Sequence, residues 1–466
     1  MIGISYKNIY AVTETFQLLK IPWEWYDPTK SYDVVIAKKN DIPYPLDNLI
    51  DLTEDDTFQK VSDLLNNGKM HLHQPDVEYL LDELRTRLKK YITLIEIPPS
   101  PWGHPYMVAL THDVDNISAK QSPLRSVCAA AIRCFQQYEF GVGINLLLTR
   151  LNLAKDPWDL FVKWRAIERQ LNVRSTFYII PPYTKQECTP HPYRDAHYTP
   201  EQKQLAYLQN DGWEVGVHGM NNWVKTESGI VELANIKGSV GNRTHWLLHH
   251  DSSWLLLDSA GYEYDTTFGY DDDVGFRAGT TQVYQPKNTA CLLVLPLHIQ
   301  DAALFGKTCW APSEEQWGEW EKIPCLNLPR DIATNLCKGI FQNTKRFGGV
   351  ATLLWHYESV VPPRDWKLMY MELVTYAKSE GAWVTTAKNV VDWFRSRRTT
   401  MLGYTKEGNK IIIHAHQPPR SKNSPDQKVR LHIDNSKIAL INSEYVAGNG
   451  YVDIRCDRPE ITVVLK

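Results

Sequence analysis

The sequence predicts an α/β protein built around one parallel sheet, with a small α/β unit before it and a small all-β unit after it. Three observations carry this. Strand and helix patterns alternate from about residue 104 to 395, the signature of a parallel sheet in either an open doubly wound or a β/α-barrel arrangement. Helical periodicity stops near residue 396, and short apolar strands separated by Gly, Asn, Pro and Ser take over. The first 98 residues carry their own strand and amphipathic helix, and a proline-rich stretch, Pro98-Pro99-Ser100-Pro101-Trp102-Gly103, follows as a natural linker. The predicted units are therefore 1–98, 99–395 and 396–466.

In the first unit, Tyr32 to Ala37 reads as a strand. Val77 to Tyr91 reads as a helix, with Leu80, Leu81, Leu84 and Leu88 at helical spacing and Arg87, Lys89 and Lys90 at its end. In the second unit, Tyr106 to Leu110 is a short buried strand. The helix Leu160–Gln170 leads to the strand Ser175–Ile180, and the helix Pro200–Asn210 leads to the strand Trp213–Val217. Cys291–Leu295 and Val350–Leu354 complete the apolar strands of this unit. In the third unit the strands are Lys410–His414, Val429–Ile433 and Ile461–Leu465, most simply arranged as a sandwich.

Composition narrows the function classes. At 466 residues the chain exceeds one ordinary core, and 43% hydrophobic with 23% charged residues and a mean hydropathy of −0.38 is a soluble globular composition. A net charge of −3 without a long basic run argues against nucleic acid as a partner. No stretch has the ~18 apolar residues of a transmembrane helix. The N-terminus lacks the pattern of an export signal, which predicts a cytoplasmic protein. Eight cysteines (Cys128, Cys134, Cys188, Cys291, Cys309, Cys325, Cys337, Cys456) lack any C-x-x-C pairing and read as reduced core residues. Sixteen tryptophans and 24 tyrosines fit large cores or sugar-stacking platforms equally.

The chemistry gathers beyond the strand ends. Thr111-His112-Asp113-Val114-Asp115 follows the first strand of the second unit, and an Asp-x-Asp on extended backbone sends both carboxylates to one side. Like charges held close need a cation between or beside them. His218 follows Val215-Gly216-Val217, Arg243 and His245 follow a glycine-rich run, His298 and Asp301 follow Leu295-Pro296-Leu297, and His356 follows Leu353-Leu354-Trp355. In a parallel sheet these ends share one rim, where His and carboxylate side chains suit zinc or a similar divalent ion. Asp265, Asp271, Asp272 and Asp273 form an acidic loop, read mainly as solvated surface with a minority prospect of facing a hydroxylated substrate.

Thr111–Asp115, Val217–Asn222, Arg243–Leu247 and Leu353–His356 together resemble, in that order, the polysaccharide deacetylases of the NodB-homology type. The stretches Tyr264–Tyr270 with Gly275–Thr280, and Leu295–Asp301, resemble the branch whose first motif is Asp-Val-Asp. The resemblance covers about residues 105–395. It implies a distorted (β/α) barrel and metal-assisted removal of an acetyl group from an N- or O-acetylated sugar. On that resemblance Asp113 matches the general base, Asp115 and His218 two metal ligands, Arg243 the arginine orienting the base, and His356 the general acid. Asp301, His298 and Trp355 are candidates for the substrate wall, with Asp301 also the candidate partner of His356 and His298 read alternatively as a plain hydrogen-bonded strand histidine.

One departure matters. The family's second histidine, four residues after the first, is Asn222 here, and a neutral amide is a poor zinc ligand. Either Asn222 coordinates weakly, or His245 completes the site, or the metal is lost. The expected cofactor is zinc, with cobalt or manganese as alternatives. The expected substrate is an acetylated sugar, oligosaccharide or nucleotide sugar, or a lipid-linked intermediate at a membrane face, in surface polysaccharide biosynthesis. An inactive sugar-binding module and an amidohydrolase of a non-sugar C–N bond are the competing readings, and oligomeric state stays open.

Overall fold

The computed structural model describes residues 1–42, 46–122, 124–181, 198, 200–219, 240–312, 320–419 and 424–466, with backbone alone at 202, 308–312 and 320–322. Strands β1 (Ile2–Ser5), β2 (Glu24–Trp25), β3 (Val34–Ala37) and β4 (Leu49–Asp51) form a parallel sheet in the order β2-β1-β3-β4. Helices Ile9–Leu19, Thr57–Asn67 and Asp76–Leu88 belong to the same unit. Asn8 and Asp56 cap the first two by accepting from Ala11 N and Gln59 N. The third has Asp76 in its first turn and Arg85 and Arg87 in its last, matching the helix dipole.

The central sheet contains β6 (Met107–Val114), β7 (Thr176–Ile179), β8 (Glu214–Gly219), β9 (Gly241–Thr244), β10 (Tyr264–Asp265), β11 (Leu293–Val294), β12 (Ile299–Gln300) and β15 (Val350–Leu354). Its order is β11-β10-β9-β8-β7-β6-β15-β12, and every pair is parallel. A short antiparallel hairpin, β13 (Thr308–Pro312) with β14 (Trp320–Pro324), lies outside it. Strand β16 (Trp383–Thr385) pairs with Met107–Ala109, leaving Thr111–Val114 to β7. The sheet curls into a distorted (β/α) barrel, and among the described residues no pairing closes β11 onto β12.

All eight residues of β6 are buried. The strand overshoots its predicted end at Leu110 because each polar residue that follows finds a partner inside. Thr111 Oγ1 donates to Leu353 O at 3.0 Å. His112 Nδ1 lies 2.7 Å from Trp355 O, and its Nε2 lies 2.8 Å from Glu168 Oε1. Glu168 has no solvent exposure, yet it accepts from the Tyr370 hydroxyl at 2.8 Å, from Ser175 Oγ at 3.0 Å and from the Trp213 indole. One carboxylate on the helix Phe161–Leu171 thus ties together β6, the approaches to β7 and β8, and the helix Lys367–Ser379. A buried carboxylate is tolerable only when satisfied in this way.

The C-terminal strands β17 (Met401–Glu407), β18 (Lys410–His416), β19 (Lys428–Leu431), β20 (Ile438–Ile441), β21 (Tyr445–Gly448), β22 (Tyr451–Arg455) and β23 (Glu460–Leu465) make two four-stranded sheets. The orders are β17-β18-β23-β20 and β21-β22-β19-β5, where β5 is Ile95–Glu96. Ile95 and Ile97 join Ile413, Val429, Leu431 and Ile454 in the sandwich core. A boundary at residue 98 therefore cuts through a shared sheet.

The proline-rich stretch is not a free linker either. Pro98 to Pro101 are buried, Gly349 N donates to Pro99 O at 2.7 Å, and Trp102 N donates to Asp426 O at 2.7 Å. Arg397, fully buried on the helix Ala387–Thr399, donates to Ile97 O, Gln17 O, Leu18 O and Gln282 Oε1. Those acceptors lie in the units 1–98 and 99–395, which sequence patterning treats as separate.

The cysteines depart from expectation at two points. Cys325 is disulfide-bonded, and Cys291 is exposed rather than in a core; Cys134, Cys337 and Cys456 are free and buried.

Glu78 packs the first unit against the barrel. Its Oε1 accepts from Thr280 Oγ1, Thr281 N and Thr281 Oγ1 at 2.8–2.9 Å, and burial raises its pKa from 4.5 to about 7 despite those bonds. The folded state thus holds the proton more tightly than the unfolded chain. The stabilisation this gives is fully present below pH 4.5 and is lost as pH rises through 7, by up to ~3 kcal/mol. Glu78→Gln should remove that decline, so urea midpoints of the variant should gain on the wild type between pH 5 and 8. A gap that stays constant over that range would refute the assignment.

Candidate active site

The C-terminal ends of β6, β8, β9 and β15 bring their polar side chains to one rim. Asp113 and Asp115 leave β6 on the same side: Asp113 Oδ2 is 3.8 Å from His218 Nε2, and Asp115 Oδ1 is 3.2 Å from it. His245 Nδ1 is 2.8 Å from His218 Nε2 and 3.2 Å from Asp115 Oδ1. Asp115, His218 and His245 thus converge three ligand-type atoms on one point.

Hydrogen bonding fixes the polarity of this triangle. His218 Nδ1 faces the Arg243 carbonyl at 2.8 Å, and a carbonyl only accepts, so Nδ1 carries the proton. Nε2 is then the nitrogen turned toward a carboxylate oxygen. At 3.2 Å the two need a proton or a metal cation between them, and separations of 2.8–3.2 Å leave room for one ion about 2.0–2.2 Å from each donor. The residues present fit a divalent metal. Burial alone would raise the Asp115 pKa, but His245, His218 and His356 outweigh it and hold this carboxyl well below the usual range.

Arg243 is fully buried beneath the rim. Its Nη1 lies 3.5 Å from Asp113 Oδ1, Nη2 donates to Thr266 Oγ1 at 3.0 Å, and its guanidinium carbon sits 5.2 Å from the Tyr178 ring centre. Gly241, two residues earlier, accepts the close approach of Tyr264: a Cβ there would meet that ring at 1.9 Å.

His245 does not continue the strand. β9 ends at Thr244, and Trp246 (φ 55°) and Leu247 (φ 51°) both take the left-handed conformation that bulky residues rarely adopt. Strain of order 1–3 kcal/mol per such residue clusters at functional sites. Here it turns the chain so that the His245 ring faces His218 while Trp246 lines the cavity.

Opposite, His356 stands beside Asp301. His356 Nδ1 is 2.5 Å from Asp301 Oδ1, and its backbone N donates to Asp301 Oδ2 at 2.9 Å. Ser359 Oγ donates to the same oxygen. Burial would lower the His356 pKa, but Asp301 overrides it and raises the group to about 9. His356 Nε2, the other ring nitrogen, is 3.9 Å from Asp115 Oδ2.

Asp113, Asp115, His245 and His356 line one cavity of about 490 Å³, walled by Trp246, Phe305 and Trp366. Three residues expected at the substrate wall are not there. Asp301 has no solvent exposure and is spent on His356 and Ser359. His298 is buried between Thr280 O and the Thr352 amide, and burial lowers its pKa to about 4. Trp355 is wholly buried, its indole donating to Trp366 O at 3.3 Å. Asn222 lies outside the described residues.

The acidic loop is also not solvated surface. Asp265 is buried, accepting from Asn242, Thr267 and Trp254. Asp273 is buried beside His71, and Asp271 lines the cavity with its pKa pushed up to about 8 by burial. Asp271 thus realises the substrate-facing alternative raised for this loop, while Trp246, Arg133, Arg364 and Trp366 are cavity residues that sequence reasoning missed. Only Trp246, immediately after His245 in a motif already recognised, carried a usable signal.

No family model and no curated protein matches the sequence. Solved structures with similar folds include a protein described as a polysaccharide deacetylase from Mycobacterium smegmatis, 19% identical, with 67% of this chain and 99% of that one covered at a TM-score of 0.41. Another, from Pseudomonas aeruginosa PAO1 and likewise described, is 13% identical over 64% and 95% at 0.40. A third, from Bordetella bronchiseptica and described as involved in O-antigen biosynthesis, is 13% identical over 59% and 83% at 0.27.

Zinc at about 100 times its Kd should raise the unfolding free energy by ~2.7 kcal/mol. Asp115→Asn and His218→Ala should each abolish most of that gain in a thermal-shift titration. A zinc response untouched by either substitution would overturn the ligand assignment.

Proposed function

We propose that this chain is a metal-dependent hydrolase that removes an acetyl group from an N- or O-acetylated sugar. The observation that carries the reading is the Asp115–His218–His245 triangle, set between Asp113 with Arg243 on one side and His356 with Asp301 on the other, around one aromatic-walled cavity. A divalent ion held there would supply Lewis acidity toward the acyl carbonyl and make water nucleophilic at neutral pH.

The chain's own residues supply the proton traffic. Asp113 Oδ2 faces the cluster and takes the proton of the attacking water, while Arg243 orients the carboxylate through Oδ1. His356 keeps Nδ1 on Asp301, so Nε2 is the nitrogen that delivers a proton to the departing amine or hydroxyl. A His pKa near 9 keeps that proton in place at neutral pH. Trp246, Phe305 and Trp366 offer faces for a sugar ring and help exclude water. These paired acid and base groups favour an enzyme over an inactive sugar-binding module, and the aromatic walls favour a sugar over a smaller amide.

Zinc is the proposed metal, because two imidazoles and a carboxylate suit it. A setting in surface polysaccharide biosynthesis rests on the motif resemblance. Among the described residues no helix is long and apolar enough to cross a membrane. The Cys325 disulfide argues against a reducing compartment.

Acetate release from a panel of N- and O-acetylated sugars, with zinc, cobalt or manganese added, tests the reading. Asp113→Asn should lower kcat by about 10²–10⁴ with metal content intact, and normal turnover in that variant would exclude Asp113 as the base. The rate should fall as pH rises through about 9, where His356 gives up its proton. Asp301→Asn removes the charge that raises this pKa, so the descending limb should move to lower pH. A limb that does not move would remove His356 from the role of acid.

A further inference from the structure

Two arginines at the cavity belong to no step described above. Arg133, on the helix Leu124–Gln136, and Arg364, in the segment after β15, both line it, and Lys307 lines it as well. Among the described residues neither arginine has an ion-pair or side-chain hydrogen-bond partner, and Arg364 Nη1 is buried without one. Of the acids whose charge reaches Arg364, Asp301 is engaged by His356 and Ser359, while Glu358 binds Asn116 through Oε1 and keeps Oε2 buried without a hydrogen bond and outside ion-pair distance of Arg364. Burial and the charge of Arg364 both lower the Arg133 pKa, and neither guanidinium has a carboxylate within ion-pair distance among the described residues. Like charges left side by side in a partly desolvated wall cost free energy until an anion arrives, and guanidinium forks match phosphate oxygens best.

We propose that Arg133 and Arg364 form an anion subsite of this cavity, so that the acylated sugar it receives carries a phosphate. The proposal deepens the deacetylase reading and rests on it for the sugar; the phosphate contact itself can be measured without turnover. Calorimetry on the zinc-loaded full chain would compare N-acetylglucosamine 1-phosphate with N-acetylglucosamine. The phosphorylated sugar should bind about 10–100 times more tightly, the worth of one charge-assisted contact. Arg364→Gln and Arg133→Gln should each bring that ratio toward unity, and Arg364→Lys should keep part of it, which separates lost charge from lost folding. Equal binding of the two sugars by the wild type overturns the subsite whether or not acetate is released. UDP-N-acetylglucosamine and a polyprenyl diphosphate-linked sugar in vesicles, compared as competitors, would show whether the phosphate comes from a nucleotide or a lipid.

A separate observation concerns the hairpin that carries Arg133. Its second helix, Phe140–Arg150, buries Gly143, Leu146 and Thr149 but leaves Ile144 and Leu148 exposed, and Leu151 just beyond extends that stripe at i, i+4 and i+7. Tyr138 (82% exposed), Phe140 and Leu153 (72%) continue the patch. Apart from Arg133 in the cavity wall, residues 124–155 hold three cations (Arg125, Arg150, Lys155) and one carboxylate, Glu139, although the whole chain is net negative. An apolar helical face with basic flanks is the pattern of a peripheral contact with anionic lipid. We infer that this hairpin docks on an anionic bilayer. Co-sedimentation with phosphatidylglycerol vesicles should exceed that with phosphatidylcholine vesicles, and Ile144→Asp with Leu151→Asp should abolish it without changing acetate release from a water-soluble sugar. Failure to sediment with anionic vesicles, or sedimentation untouched by the double substitution, would overturn it.

Discussion

Two carboxylates that leave one buried strand on the same side set the terms for everything around them. Asp113 and Asp115 sit at the end of a strand with no exposed residue, where like charges are tolerated only if cations surround them. The surrounding side chains meet that demand from different strands. Arg243 reaches Asp113 from β9, His218 reaches both from β8, and His245 and His356 close on Asp115 from the turns after β9 and β15. The barrel is needed because no local segment could gather one guanidinium and three imidazoles around two carboxylates. Parallel pairing puts the ends of β6, β8, β9 and β15 on one rim, and the rim gathers them.

How much of this was legible in the sequence depended on how local the cause was. Val350–Leu354 and the helix near 161–171 were readable because an apolar run or a helical period is a property of adjacent residues. β6 outran its apolar run because what keeps Thr111, His112 and Asp113 in the sheet is partners 56 to 243 residues away, such as Glu168, Trp355 and Arg243. That His245 joins the cluster could not be read from spacing, since the strand stops at Thr244 and two left-handed residues, Trp246 and Leu247, turn the chain just after it. Asp301 was readable as a strand-end acid but not as a buried one. It opens the short helix Asp301–Phe305, and that turn aims it at His356 instead of the cavity. Arg133 and Arg364 share no motif or period, and only the fold puts them on one wall.

The second layer beneath the site is as constrained as the first. Glu168 holds His112, and His112 holds the Trp355 carbonyl, one residue before His356. The general-acid candidate and the Asp-Val-Asp strand are therefore braced by the same buried chain of contacts. Asp301 adds a second brace on His356 through both backbone and ring. Such outer partners fix ring orientation, and catalytic geometry is sensitive to displacements of well under an ångström.

The strand β5 also sets a schedule. Ile95 pairs with Leu431 and Glu96 with Arg430, so this strand has no pairing partner until a segment far downstream in the chain is made. At about 5–20 residues per second, translation leaves this edge open on the order of tens of seconds. During that interval the barrel can assemble, but Ile95 and Ile97 have no sandwich core to enter. A nascent chain in that state exposes an apolar strand edge to other nascent chains and to chaperones. Closure of the sandwich over Ile95 and Ile97 thus waits on strands made long after them.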